Sequence, residues 1–286
     1  MNKPDLASVE LQELKSYFNS ITNYSYGGKE KSEEFCGFYL HGSNTPLSLE
    51  EHETPIRCFR HFSKYSYPLY LMYNEEQPGD IEEILKRYDN IIAMPIKPLE
   101  SVIHYDLFVF RELFERIRHN NILTIQWDAW PINPGWESFV ENNQLDYVGA
   151  VWQNMADGGV LLKNHEKYNI QFTSKIGNDA FSFRRRDLCL KVMDSVDGDD
   201  VNWRYNGFSL PEDVFFSYFG FGLEIFRPCS VELANQWALQ PMASWDTYGF
   251  HKTQIHLKRK YQRLFEADVE VIKAPRGDAN DHVHSS

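Results

Sequence analysis

The start of the chain has the spacing of hydrophobic residues that is typical of an amphipathic helix. Leu11, Leu14, Phe18 and Ile21 recur at intervals of three and four residues among polar neighbours. This spacing puts all four side chains on one face of a helix. The glycine pair at 27–28 then ends the pattern, so a helix followed by a polar connection is predicted.

From residue 35 onward, short apolar runs alternate with segments that have a helical spacing of apolar residues. Strands that alternate with helices predict right-handed βαβ units and a largely parallel sheet. The predicted strands are Phe35–His41, Leu69–Tyr73, Ile91–Ile96, Ile122–Trp127, Tyr147–Val151 and Ala180–Phe183. The predicted helices are Leu47–Phe62 with an interruption at Pro55, Ile81–Tyr88 with Asp80 as its N-cap, Tyr105–Arg118, Leu188–Met193 and Val214–Phe219.

These elements predict one α/β domain over residues 35–272, because this segment contains neither an internal repeat nor a low-complexity linker. Residues 1–34 are predicted to form the N-terminal helix and its connection, and the polar residues 273–286 a disordered tail. No apolar run approaches the roughly 18 residues that a membrane-spanning helix needs. The charged N-terminus also lacks an apolar signal segment. We therefore expect a cytoplasmic protein without a transmembrane segment.

The overall charge narrows the range of partners. The chain of 286 residues carries 29 Lys and Arg against 41 Asp and Glu, which gives a net charge of −12 at pH 7. Non-specific binding to nucleic acid depends on basic residues that neutralise phosphates, so we expect no nucleic-acid partner. The four cysteines are too widely spaced for a metal or redox motif, and we expect them to be reduced and mostly buried.

The fourth predicted strand ends in a candidate metal ligand. Open α/β sheets bind ligands beyond the carboxyl ends of their strands, and this strand ends in Gln126-Trp127-Asp128. In an extended strand, Gln126 and Asp128 would share one face. A carboxylate at that place suits a divalent cation, which in turn suits a diphosphate. The alternative is that Asp128 binds no metal and only caps the loop after the strand.

Three later segments also carry candidate chemistry. Arg184 lies in a run of three Arg after a small-residue turn. Its guanidinium suits a phosphate, although the run alone favours a hairpin entry followed by a solvated basic helix start. Glu212 and Asp213 precede an aromatic helix, where a carboxylate caps the helix or takes a proton from a hydroxyl. His251 becomes a candidate metal ligand only together with a carboxylate from elsewhere in the fold.

Taken in order, these segments resemble a family of uncharacterised glycosyltransferase-like domains with the GT-A fold. The resemblance spans about residues 35–252. In this family pattern, Gln126 replaces the first carboxylate of an Asp-x-Asp motif, and Asp179-Ala180 replaces a Gly-Gly pair. The segments that carry the resemblance are Gln126–Asp128, Asp146–Trp152, Gly177–Arg184, Glu212–Asp213, Ala234–Ala238 and Gly249–His251.

The resemblance implies a GT-A-like (Rossmann-like) α/β fold whose mixed, mainly parallel sheet is flanked by helices. It also implies an inverting glycosyltransferase that moves a sugar from a nucleotide-sugar to a hydroxyl of a glycan or lipid-linked saccharide. Asp128 and His251 would hold Mn²⁺ or Mg²⁺. Asp213, paired with Glu212, would be the general base. The donor would be lined by Gln126, Asp128, Asn178, Arg184 and Trp152, with Trp130 and Trp237 as further candidates for stacking on sugars.

Two other functions fit the same residues. A glycoside hydrolase would use Asp128 with Asp213 or Glu212 as its pair of carboxyl groups, and it would need no nucleotide. A domain that binds carbohydrate without turnover would fit the two departures from the family pattern. Thermal stabilisation by a nucleoside diphosphate with Mn²⁺ distinguishes the transferase from the hydrolase.

Overall fold

The computed structural model describes residues 10–22, 29–152, 176–196, 211–239 and 246–251, without the side chains of residues 102, 103, 179, 239, 250 and 251. The predicted tail at 273–286 and the glycine pair at 27–28 lie outside these residues. Within them, no helix is both long enough and apolar enough to cross a membrane.

Helices and strands alternate through most of the described chain. The helices are α1 Leu11–Ile21, α2 Leu49–Phe62, α3 Ile81–Arg87, α4 Val102–Phe108, α5 Phe114–Arg116, α6 Trp136–Asn142, α7 Arg186–Ser195, α8 Glu212–Gly222 and α9 Val231–Trp237, with a π-helical segment Val109–Leu113 between α4 and α5. The strands are β1 Phe35–His41, β2 Leu69–Asn74, β3 Ile91–Ile96, β4 Asn121–Ile125, β5 Ala129–Pro131, β6 Tyr147–Val151, β7 Ile176–Arg185, β8 Ala238–Leu239 and β9 Gly249–His251.

Six of these strands form the main sheet, in the order β3-β2-β1-β4-β7-β6. β1, β2, β3 and β4 pair parallel with one another, whereas β7 pairs antiparallel with both β4 and β6. This arrangement confirms the predicted fold class, a GT-A-like mixed and mainly parallel sheet flanked by helices. A second sheet has the order β5-β9-β8.

The main sheet is covered on both faces, which explains why its central strands are almost continuously apolar. Phe35 and Tyr39 of β1 point to a cluster that includes Phe59 of α2 and Trp136 of α6. Cys36 and Phe38 point the other way, because side chains alternate along a strand. Cys36 and Phe38 belong to the second cluster, together with the aromatic residues of α8.

The N-terminal helix packs against the edge of this core. Leu14 and Phe18 of α1 are fully buried in a third cluster that also contains Trp130 of β5. The rings of Phe18 and Trp130 meet edge to face, with their centroids 6.0 Å apart. α1 therefore lies beside β5, the short strand that follows the end of β4.

Several predicted elements need correction. α2 runs unbroken through Pro55, so the predicted interruption there is wrong. Asp80 holds the predicted N-cap position of α3, but its carboxylate makes no capping bond there; it accepts a hydrogen bond from the N–H of Leu49 at 2.8 Å, at the start of α2. The patterns also missed α6 and α9 and the three strands of the second sheet, since these elements are short and the pairing of β5 with β9 joins residues distant in sequence.

Candidate functional site

The carboxyl ends of β1 and β4 meet where the order of strands in the main sheet changes direction. β2 and β3 lie on one side of β1, and β4 lies on the other. In open α/β sheets, ligands bind in the crevice beyond the strands at such a switch point. β1 ends at His41 and β4 ends at Ile125, so the residues that follow them line the expected site.

A tight turn directly after β4 carries Asp128. The N–H of Gln126 donates to the carbonyl of Ala129 at 2.7 Å, and the N–H of Ala129 donates back to the carbonyl of Gln126 at 3.1 Å. Trp127 and Asp128 are the two central residues, and we call these four residues the Asp128 turn. The predicted extended strand through Trp127 is therefore wrong, because the chain reverses there. Asp128 is only 5% exposed.

The second sheet brings a segment from much later in the chain to this turn. β9 pairs antiparallel with β5, so that His251 lies opposite Ala129. The backbone of His251 is thus close to Asp128, its predicted partner in binding a metal. The side chain of His251 is outside the described residues, and the shared ligation stays a prediction. Among the described side chains, no three His, Cys, Asp or Glu residues are grouped to hold a metal ion.

Buried polar side chains at the end of β1 form a group that the sequence patterns did not reveal. Tyr39 pairs in register with the last residue of β4, and its hydroxyl is hydrogen-bonded to Nδ1 of His52 on α2. The ring of His52 lies 4.4 Å from that of His41, between centroids. Nε2 of His41 donates to the carbonyl of Thr45 at 2.8 Å, which fixes the proton of a neutral His41 on that nitrogen.

Burial sets the protonation of this group. It lowers the pKa of His52 to about 3, and the neighbouring charges of His41 and Lys15 act in the same direction. Burial also lowers the pKa of His41. It raises the pKa of Tyr39 well above its usual range, and Asp128 adds to that increase. At neutral pH both imidazoles are therefore uncharged and the phenol keeps its proton.

Lys15 of α1 brings a buried positive charge to the Asp128 turn. The residue is 4% exposed, and its Nζ lies 5.6 Å from the ring centroid of Trp127. Nζ donates to the carbonyl of Glu51 at 2.7 Å. Burial lowers the pKa of Lys15, whereas the negative charges of Glu51 and Asp128 raise it. The ammonium is therefore held between the helix backbone and the turn.

Two of the predicted donor-binding residues, Asn178 and Trp152, lie at the same edge of the sheet. Because β7 is antiparallel to β4 and β6, its first residues lie beside the carboxyl ends of those strands. Asn178 pairs with Ala150, and Trp152 directly follows β6. A Cβ added to Gly177 would come within 3.1 Å of the Trp152 ring. Asn178 and Trp152 are both partly exposed, and their contact with a donor stays a prediction.

Asp213 is the second residue of α8. The helix begins at Glu212, so Asp213 lies inside the first turn and is not the N-cap. Its carboxylate is half-buried and accepts a hydrogen bond from the N–H of Val214 at 2.8 Å. The hydroxyl of Tyr147 donates to the carbonyl of Gly177 at 2.9 Å and lies 3.5 Å from the carbonyl oxygen of Asp213. Tyr147 thus ties Asp213 to the edge where β7 begins.

Arg184 and Glu212, predicted as donor-binding and catalytic residues, lie against each other in the core. Their side chains are each 2% exposed and form an ion pair of 3.0 Å. Nη2 of Arg184 also donates to the hydroxyl of Ser182 at 3.1 Å. An Arg whose charge is neutralised in this way is a poor phosphate ligand, and a carboxylate engaged in the same buried ion pair is a poor general base. We therefore assign both residues to the support of the site.

Trp130 and Trp237 do not face a sugar. Both residues are fully buried, so the prediction that they stack on the substrate is wrong. The ring of Trp237 stacks on that of Phe181 with 4.9 Å between centroids, and its Nε1 donates to the carbonyl of Phe181 at 3.0 Å. These tryptophans stabilise the core on which the second sheet rests.

Comparison with known proteins identifies the family of this chain and finds solved structures that are distantly similar to it. Residues 90–251, more than half of the chain, match the family model described as protein of unknown function (DUF5672). No curated protein matches the chain. Mouse xyloside xylosyltransferase 1, in its apo form, is 11% identical with a TM-score of 0.45, and the match covers 76% of this chain and 96% of that one.

Two further solved structures are similar at the same level. S. aureus TarS, residues 1–349 in complex with UDP, is 12% identical with a TM-score of 0.41, over 83% of this chain and 67% of that one. The 4-diphosphocytidyl-2C-methyl-D-erythritol synthase of Anaerococcus prevotii is 12% identical with a TM-score of 0.39, over 69% of this chain and 85% of that one. Likenesses this distant concern the fold alone.

Proposed function

We propose that this chain, which belongs to the DUF5672 family of proteins of unknown function, is a glycosyltransferase. Its donor is a nucleotide-sugar, and its acceptor is a hydroxyl group of a glycan or of a lipid-linked saccharide. The transfer is inverting and assisted by a divalent cation. The observation that carries this proposal is the Asp128 turn, which presents a carboxylate at the switch point of the sheet with the backbone of His251 beside it.

The residues at the Asp128 turn fit a divalent cation. A carboxylate and an imidazole are a donor set that Mn²⁺ accepts, and Mn²⁺ tolerates the imidazole better than Mg²⁺ does. Few protein ligands are needed, since such cations usually keep water and substrate phosphate as further ligands. Asp128 and His251 would hold the cation. Once bound, the cation would neutralise negative charge on the departing nucleoside diphosphate.

Asp213 is the proposed general base. Its half-buried carboxylate is at the start of α8, on the segment that Tyr147 ties to Gly177. In this role, Oδ of Asp213 takes the proton of the acceptor hydroxyl while the oxygen of that hydroxyl attacks the sugar carbon. Asn178 and Trp152, at the same edge of the sheet, would contact the donor sugar between Asp213 and the Asp128 turn.

The proposal is tested by a thermal-shift screen of UDP, GDP, CDP, ADP and their common sugar conjugates, each with and without Mn²⁺. We expect one base to stabilise the protein, with a larger shift when Mn²⁺ is present. The matching nucleotide-sugar should then be hydrolysed slowly or transferred to added saccharides. Stabilisation without any turnover would favour a carbohydrate-binding domain. Cleavage of glycosides without response to any nucleotide would favour a hydrolase.

A further inference from the structure

The acidic chain needs local positive charge if it binds the diphosphate of a nucleotide-sugar. Arg184 does not supply it, because its guanidinium is paired with Glu212 in the core. Lys15 is a cation that the structure brings to the Asp128 turn. It comes from α1, which lies outside residues 90–251, the part of the chain that matches the family.

A local feature of α2 fixes the position of the Lys15 ammonium. The carbonyl of Glu51 would normally accept a hydrogen bond from the residue four positions later. That residue is Pro55, which has no N–H and which α2 nevertheless contains without a break. Nζ of Lys15 takes the vacant place and donates to the Glu51 carbonyl at 2.7 Å. This bond uses one of the three donors of an ammonium group.

Packing fixes α1, the helix that carries Lys15. Leu14 and Phe18, on either side of Lys15 in α1, are fully buried and anchor the helix against Trp130 of β5. The ammonium lies 5.6 Å from the ring centroid of Trp127, within the range of a cation–π contact. Trp127 and Asp128 are adjacent in the turn. The cation is thus held in one orientation at the carboxyl end of β4.

We propose that Lys15 is a ligand-binding residue that contacts the diphosphate of the nucleotide-sugar donor at the Asp128 turn. The inference rests on the proposed function, since it names a second positive charge for that same donor. An ammonium acts on a phosphate oxygen as a compact point charge, and burial strengthens this attraction because water screens it less. Lys15 therefore contributes to diphosphate binding even without a divalent cation.

The test measures binding of inorganic pyrophosphate in EDTA by calorimetry, so that neither the base of the donor nor a metal affects the result. We expect Lys15→Met to weaken binding by at least about tenfold, while Lys15→Arg keeps most of it. Lys29→Met is the matched control. Lys29 is also anchored on backbone carbonyls of α2, at 2.7 Å from that of Arg60, and its loss should leave pyrophosphate binding unchanged.

Three outcomes would overturn the inference. The proposed contact is refuted if the wild-type protein does not bind pyrophosphate. It is also refuted if the Lys15→Met protein binds pyrophosphate as tightly as the wild type does. The third outcome is that Lys15→Met and Lys15→Arg lose pyrophosphate affinity to the same extent and both have a lowered melting temperature. That result would show that Lys15 contributes only to packing. Failure of the proposed function gives a different result: pyrophosphate binding still depends on Lys15, but no nucleotide-sugar is turned over.

Discussion

Nη1 of Arg184 and Oε2 of Glu212 lie 3.0 Å apart in a part of the core where each side chain is 2% exposed. The guanidinium also lies near the rings of Tyr147 and Phe216, at 5.6 and 5.8 Å from their centroids. The backbone N–H of Glu212 donates to the carboxylate of Asp106 at 3.1 Å. The pair thus joins β7 to the first residue of α8 and so holds Asp213 in place.

Removal of one partner of this pair should strongly destabilise the fold. Arg184→Met leaves the Glu212 carboxylate buried without its counter-charge, and we expect the free energy of unfolding to fall by about 3–5 kcal/mol. The double variant Arg184→Met/Glu212→Leu buries no charge at this place and should recover much of the loss. Urea unfolding of the variants measures both effects. A loss below about 1 kcal/mol in the single variant would contradict the role given to the pair.

Asp213→Asn should separate catalysis from donor binding. The amide cannot take a proton from the acceptor, so we expect transfer to fall by about 10²-fold or more, with nucleotide affinity nearly unchanged. Asp187→Asn is the control, because Asp187 is likewise the second residue of its helix, α7, but is exposed. Transfer rates measure catalysis in both variants, and nucleotide titrations measure their affinity for the donor nucleotide. Full activity in Asp213→Asn, or lost nucleotide binding, would refute the assignment.

Gly177→Ala should perturb the edge where Asn178, Trp152 and Asp213 lie. Gly177 has φ +138°, and an added Cβ would come within 2.8 Å of the Cβ of Ser217. Gly135 also has a positive φ, +90°, but a Cβ added there would meet the ring of Tyr248 at 3.8 Å, an ordinary contact distance. We expect Gly135→Ala to cost about 1 kcal/mol from backbone strain alone, and Gly177→Ala to cost more. If denaturant unfolding shows the same loss in the free energy of unfolding for both variants, the close contact at Gly177 does not add to the cost.

His52 should make the stability depend on pH. In the fold its pKa is about 3 because it is buried, whereas in the unfolded chain it is about 6.5. The unfolded state therefore binds an extra proton between these values, and stability falls as the pH falls through this window. At pH 5 the loss from this site is about 2 kcal/mol relative to neutral pH. The charged and titratable groups that face His52 are His41 and Tyr39 of β1, Glu51 of α2 and Lys15 of α1.

Urea unfolding at pH 8 and pH 5 tests this effect in His52→Gln. The variant lacks the titrating imidazole, so its stability should change less between the two pH values than that of the wild type. His104→Gln, at an exposed position of α4, should keep the wild-type dependence. An unchanged pH dependence in His52→Gln would show that other groups cause the acid sensitivity.

Hydrophobic periodicity predicted the regular part of the fold well. β1, β3 and β6 have the predicted bounds because each is a continuous apolar run, and α1 forms where the helical spacing of apolar residues predicted a helix. The strands of the second sheet were missed, since two or three residues carry no period. Their pairing depends on contacts such as Ala129 with His251, which are far apart in sequence.

The sequence predicted that Asp128 follows β4 at its carboxyl end, where the structure has it, but it did not reveal the side chains around Asp128. Asp128 could be found because it follows a buried strand. Lys15 could not, since its position depends on the carbonyl that Pro55 leaves without a helical partner. Arg184 looked like a phosphate ligand because its pairing with Glu212 is visible only in three dimensions.

In the proposed function, the Asp128 turn binds a nucleoside diphosphate through a divalent cation. The most direct measurement is the affinity of wild type and Asp128→Ala for the nucleoside diphosphate selected by the screen, titrated in EDTA and in Mn²⁺. We expect Mn²⁺ to tighten binding to the wild type by about tenfold or more and to have no effect on Asp128→Ala. An equal response of both proteins to Mn²⁺, or the absence of any response in the wild type, would contradict it.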